Sequence, residues 1–192
     1  MIRFNCKSGI FTGMKIPIVF GVFALMFSIL ILSCEKDHVV DGMKPVYFAY
    51  DDFSGIQSIA PKPFGELGKI VTKDQYIFIN EQFKGIHVID NSDPERPERK
   101  YFWQIPGNRE FTILQNTLYA DNGLHLIVID ITNFDKISVV SVIKDQYPIE
   151  EPSVRELYPL GYKGFFECYD ATRGIFVEWK KDKIINPKCE TN

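Results

Sequence analysis

An internal echo constrains this chain more than any single residue does. Gly85-Ile86-His87-Val88-Ile89-Asp90 returns as His125-Leu126-Ile127-Val128-Ile129-Asp130. Each run is apolar and β-branched and closes on an aspartate. The neighbouring segments recur with it. Lys69 to Thr72, Tyr76 to Asn80, Gly85 to Asp90 and Arg99 to Ile105 read as four strands. Phe111 to Leu114, Thr117 to Asp121, His125 to Ile131 and Ile137 to Ile143 read as four more. Asp74-Gln75 and Gln115-Asn116 supply matching turns, and Pro106-Gly107 separates the two sets. Tyr76 corresponds to Thr117 and Gly85 to His125, so the second copy is shorter by a single position. That change falls in the middle loop (Glu81 to Lys84 against Asn122 to Leu124).

Four short strands in forty-odd residues is the arithmetic of a β-propeller blade. A plain antiparallel meander or sandwich is the competing architecture. Two blades do not close a ring and leave strand edges open. The expected fold is therefore all-β, a partial propeller of two four-stranded antiparallel blades over 68–145. In 146–192 a connector from Tyr147 to Gly161 leads to a hairpin, Tyr162 to Asp170 and Gly174 to Lys180, and a polar tail ends at Asn192.

The segment that precedes Cys34 carries Arg3, Lys7 and Lys15 but no acid, and Ile16 to Leu32 is an uncharged apolar run. A basic start and an apolar stretch read as a secretory signal helix over 1–33, with Met14 as an alternative start. Without those three of the 22 basic residues, 19 face 25 acidic ones, a net charge of −6. That balance argues against a nucleic-acid partner. Glu35 to Lys44 reads as a polar tether and Val46 to Tyr50 as a short strand. Asp51 to Leu67, with Pro61, Pro63 and Gly65, reads as a winding connector, so that 34–67 is tether and connector.

Ile31-Leu32-Ser33-Cys34 resembles the lipobox of bacterial lipoproteins. That resemblance implies a diacylglyceryl group on the Cys34 sulfur, cleavage before Cys34, and a membrane held through an N-terminal lipid. Glu35-Lys36-Asp37 resembles the acidic export signal of surface-exposed lipoproteins, which implies the outer membrane and the cell surface. Leu126-Ile127-Val128-Ile129-Asp130 resembles the LVIVD repeat, with Ile86-His87-Val88-Ile89-Asp90 as a weaker copy. Asn91-Ser92-Asp93-Pro94 is similar to that family's proline-containing turn, which Ile131-Thr132-Asn133-Phe134 lacks. The family resemblance, over roughly 68–145, implies a propeller-like extracytoplasmic protein, here a truncated member or a part that assembles with another chain.

On the lipobox resemblance Cys6 falls in the signal segment and Cys34 would carry the lipid, leaving Cys168 and Cys189 as a candidate disulfide or as two unpaired cysteines. Asp90 and Asp130 are either a ring of carboxylates for a cation or turn-forming residues capping backbone N–H groups; a turn in every unit favours the second. His38, His87 and His125 show no zinc spacing, so no metal is expected. Gly65 to Lys69 lacks the residues of a phosphate loop, and no nucleophile elbow is present. No catalytic residue and no cofactor follow. Tyr101-Phe102-Trp103 and Phe165-Phe166 read as interface filling before they read as a platform for a sugar or peptide. The expected role is a non-catalytic binding or scaffolding surface, with a protein or glycan partner and contacts on blade loops. The alternative is a fragment of a larger propeller whose enzymatic or transport-accessory residues lie in other blades.

Overall fold

A computed structural model describes residues 36–147 and 152–191. The signal segment, Cys6 and Cys34 lie outside them. The chain divides into Met1–Asp37 and His38–Asn192, and the second unit carries all the strands described below.

The recurring segments fold as two antiparallel meanders. The first comprises β3 (Leu67–Lys73), β4 (Tyr76–Glu81), β5 (Gly85–Asp90) and β6 (Glu98–Gln104). The second comprises β7 (Phe111–Leu114), β8 (Thr117–Asn122), β9 (His125–Asp130) and β10 (Ser138–Ile143). The repeat is kept in the register as well as in the residues. Ile89 opposes Arg99 and Val88 opposes Tyr101, so Lys100 bulges; Ile129 opposes Val139 and Val128 opposes Ser141, so Val140 bulges at the equivalent place. One departure from expectation is small: β2 (Gln57–Ile59), inside the expected connector, adds a fifth strand beside β6.

Alternation along the strands decides how the meanders stack. Phe78, Ile86, Val88 and Trp103 face one way from the first sheet, and Leu118, Ala120, Ile127 and Ile129 face them from the second; all are buried in one cluster. The first strands, β3 and β7, approach each other. Strand β5 is buried on both faces from Gly85 to Ile89, His87 included. Strand β9 instead alternates buried and half-buried up to an exposed Asp130, because among the described residues the first meander covers one face of its sheet.

The ends of the chain depart most from the expectation. Val39 to Lys44 is strand, not tether, and continues through Pro45 to Phe48 as β1 (Val39–Phe48). It pairs antiparallel along its length with β12 (Ile175–Ile185). Its other edge bonds only at Met43, in parallel with β11 (Gly164–Phe166). A proline is tolerated in this long strand because that second edge is nearly unpaired. The expected C-terminal hairpin does not form: β1 lies between β11 and β12, and the Ala171–Arg173 turn joins strands that are not neighbours. The expected polar tail contributes β13 (Cys189–Thr191). The connector before it holds a short helix, α1 (Val154–Leu157).

This third sheet, ordered β12-β1-β11-β13, covers one rim of the stacked meanders. Phe176 packs against Phe83 in the β4–β5 turn, with ring centroids 6.0 Å apart. Lys84 in that turn reaches Glu178 at 2.7 Å. Ile175 lies so close over Gly107 and Gly123 that a Cβ on either would meet it at 2.3 and 2.8 Å. Those two glycines, at φ +73° and +60°, permit both the turns and the approach.

Candidate functional site

The two rims of the stacked meanders differ in chemistry. On the rim away from the covering sheet, both long turns are built alike. Asp90 Oδ1 accepts from the N–H and hydroxyl of Ser92, and Asp130 Oδ1 accepts from the N–H of Thr132 at 2.8 Å and its hydroxyl at 2.6 Å. Asp93 and Asn133 repeat the motif three residues on, accepting from the N–H of Glu95 and of Asp135. The bonds from Ser92 and Thr132 hold the Asp90 and Asp130 carboxyls below the usual carboxylate range. The aspartates are turn formers, and no group of three His, Cys, Asp or Glu side chains is placed to hold a metal ion among the described residues.

The second turn has no proline, yet its bonding pattern matches that of the first. Phe134 takes the place of Pro94 and turns its ring inward onto Tyr76, Phe78 and Trp103, at centroid distances of 4.9, 5.8 and 5.3 Å. Its carbonyl accepts from Trp103 Nε1 at 3.0 Å and Ser58 Oγ at 2.8 Å. The expected aromatic cluster is thus divided: Trp103 and Phe102 fill opposite faces of the first sheet, and only Tyr101 is partly exposed. Phe166 is buried in the third sheet, against Trp179 at 5.6 Å. The result is a rim of exposed side chains, most of them polar or charged from Ser92 to Lys100, on turns clamped by bonds to the backbone.

The covered rim holds buried polar groups that sequence reasoning missed. Asn80 Nδ2 donates to Asn108 Oδ1 at 2.7 Å, and Asn108 Nδ2 donates to Asp121 Oδ1 at 2.8 Å. Asp121 Oδ1 also accepts from the backbone N–H of Arg109 and Glu110. Burial raises the Asp121 carboxyl above its ordinary value despite these donors. The chain of bonds ties one meander to the next through a single loop asparagine. A signal was available: β4 and β8 both end their apolar runs on a polar pair, Asn80-Glu81 and Asp121-Asn122.

On the far face of the first sheet, Glu81 Oε2 lies 2.7 Å from His87 Nε2, both side chains buried. Lys62 and Lys84 stand 3.7 and 3.6 Å from Glu81 Oε1, and the Gly65 N–H donates to Oε2 at 3.2 Å. Burial pushes the Glu81 carboxyl up, but His87 and the two lysines outweigh it and hold it below its ordinary value. Burial pulls the His87 imidazole down, and its bond to Glu81 only partly restores it. The segment around Lys62 and Phe64 straps this face. Phe64 meets the His87 ring edge-on at 4.8 Å, and Lys62 sits 3.8 Å over the Phe102 ring. Chemically the pair is a brace for the strap, since His87 is fully buried and out of reach of a ligand.

His125 serves elsewhere. Its Nδ1 accepts from the Asp145 N–H, which leaves Nε2 to donate to the Tyr50 carbonyl at 3.1 Å. His38 starts the strand-bearing unit, exchanging bonds with Asn186. Cys168 and Cys189 are joined, with Cα atoms 5.4 Å apart, and the bond fastens β13 to the chain leaving β11. No helix among the described residues is long and apolar enough to cross a membrane. No protein-family model matches the chain, and neither does any curated protein or solved structure.

Proposed function

We propose that this chain is a lipid-anchored, extracytoplasmic protein of the LVIVD-repeat kind, with two propeller-type blades whose free rim is a non-catalytic binding surface. The observation that carries the reading is the contrast between the rims. One is sealed by the third sheet; the other presents duplicated, backbone-clamped turns with exposed charged side chains. Rigid turns on a rigid scaffold lower the ordering cost of binding. The register-matched meanders, their stacking, and the approach of β3 to β7 support the blade geometry.

The anchor rests on the lipobox-like Ile31-Leu32-Ser33-Cys34. The Cys168–Cys189 bond suits an oxidising compartment. Two acyl chains on Cys34 would hold the protein firmly, and the short stretch from there to Val39 spans at most about 18 Å. A protein or glycan at the outer membrane and cell surface is the partner that this placement fits.

The anchor is tested by fractionating Cys34→Ala, which is expected to leave the membrane fraction; retention there ends the lipid reading. The rim is tested by pull-down from native membranes with the full chain and with a variant carrying Asp93→Ala, Arg96→Ala, Asp135→Ala and Lys136→Ala. Capture of the same partners by both ends the rim reading. A second reading, a piece of a longer propeller with its active residues in further blades, is favoured by the open face of the second meander; further repeats of the same kind in the adjoining coding sequence would support it.

A further inference from the structure

The long ribbon of β1 and β12 has two ends of different character. At one end Ile175 and Phe176 lie on the covered rim, and Glu178 reaches Lys84 in the β4–β5 turn at 2.7 Å. At the other end Val39 opposes Ile185. The 11 residues of β12 hold the two ends about 33 Å apart. This far end is apolar at its tip and basic behind it. Val39 and Ile185 stand side by side and are 51% and 60% exposed. On the same face, next along the ribbon, come Asp41 beside Lys183 and Met43 beside Lys181. Residues 39–44 and 180–188 carry five lysines and two aspartates, a balance of +3 in an acidic chain. Both aspartates are paired, Asp41 to Lys183 at 3.1 Å and Asp182 to Lys44 at 3.4 Å. Lys180, Lys181 and Lys188 are in no ion pair among the described residues.

Covalent reach and charge select the occupant. Val39 follows Cys34 by five positions. On the lipid-anchor reading, on which this inference rests, the tip therefore stays within about 18 Å of the anchored residue. A lipid surface is then its permanent neighbour. Anionic headgroups complement the uncompensated lysines, whose stems lie along the interface that the aliphatic pair enters. The turns of the free rim have the opposite balance, six acids against four bases over 90–100 and 130–136. We infer that the far end of the β1–β12 ribbon rests on an anionic lipid surface, with Val39 and Ile185 at the interface and Lys181 and Lys188 on lipid phosphates. The acidic free rim is left off the lipid.

The test uses the full-length chain, extracted from membranes of the expressing cell and reconstituted into vesicles of phosphatidylcholine and phosphatidylglycerol that carry a headgroup nitroxide lipid. Ile185→Cys and Arg96→Cys, both at exposed positions, place a fluorophore on the far end and on the free rim. The parent chain gives the labelling background from Cys6 and Cys34. Flotation with the vesicles reads the anchor, and quenching of the label reads the ribbon end. All chains are expected to float, with quenching at 185 about twofold or more above that at 96. Lys181→Glu with Lys188→Glu, added to Ile185→Cys, is expected to cut that quenching by about half or more. Both lysines are exposed, so flotation and the urea midpoint are expected to stay unchanged. Flotation with equal quenching at 185 and 96, or quenching that survives the two glutamates, overturns the inference and leaves the anchor standing. Chains that do not float end the anchor reading and this inference with it.

Discussion

Replacing Glu81 with leucine removes one side chain on which four groups converge. His87 Nε2 loses its acceptor inside the protein, the Gly65 N–H loses its partner, and Lys62 and Lys84 lose the charge between them. The carboxylate is buried, so its contribution is not screened as a surface pair is. Breaking a buried pair from one side costs about 3–5 kcal/mol. For a unit of this size that lowers the melting temperature by about 6–20 °C. Glu81→Leu with His87→Leu leaves no orphaned imidazole and fits the apolar surroundings of Phe64 and Phe102. The double variant is therefore expected to recover at least about half of the single variant's loss. Urea unfolding followed by tryptophan fluorescence measures both, since Trp103 lies in the adjoining core. A single-variant loss under about 1 kcal/mol, or a double variant no more stable than Glu81→Leu, refutes the brace. The pH dependence has a definite sign. His87 and Glu81 both have folded-state values below their unfolded ones. Each contributes stability present above the unfolded value and lost as pH falls through the folded one. The native chain should weaken below about pH 6.5, and more steeply below about 4.3, and the double variant should flatten both limbs.

Three further outcomes follow from single sites. Gly85→Ala is expected to cost about 3 kcal/mol or more in urea unfolding, because φ is +143° and the new Cβ would lie 2.0 Å from the Trp103 carbonyl oxygen. Asp121→Asn keeps an oxygen for the Arg109, Glu110 and Asn108 donors. Since the folded carboxyl value is raised, ionisation costs stability as pH rises, so the variant is expected to be the more stable at pH 7 and to lose that advantage near pH 3, read as urea midpoints at the two values. Reducing the Cys168–Cys189 bond, whose partners are separated by 21 positions, is expected to cost about 3 kcal/mol, read as a lower urea midpoint in the presence of reductant.

The meanders were legible because they are local. Each β-pair from β3 to β10 joins neighbouring segments, so alternation and turn residues carry the whole instruction. The Asp90 and Asp130 turns were legible for the same reason: an aspartate that caps the N–H two residues on needs no distant partner. The polar ends of β4 and β8 were visible but not interpretable, since Asn80 and Asp121 become a bridge only once Asn108 lies between them.

Taken alone, the residues determined an all-β chain, two equivalent four-stranded units and the turns between them, because side-chain period and turn chemistry are properties of short segments. Only the tertiary structure decided that Val39–Phe48 lies between β11 and β12, strands from the opposite end of the chain, that the resulting sheet seals one rim, and that Glu81 and His87 brace a strap. Strand pairing at such separations depends on which apolar edge and face remain uncovered after the local units form, and no short window of sequence contains that information.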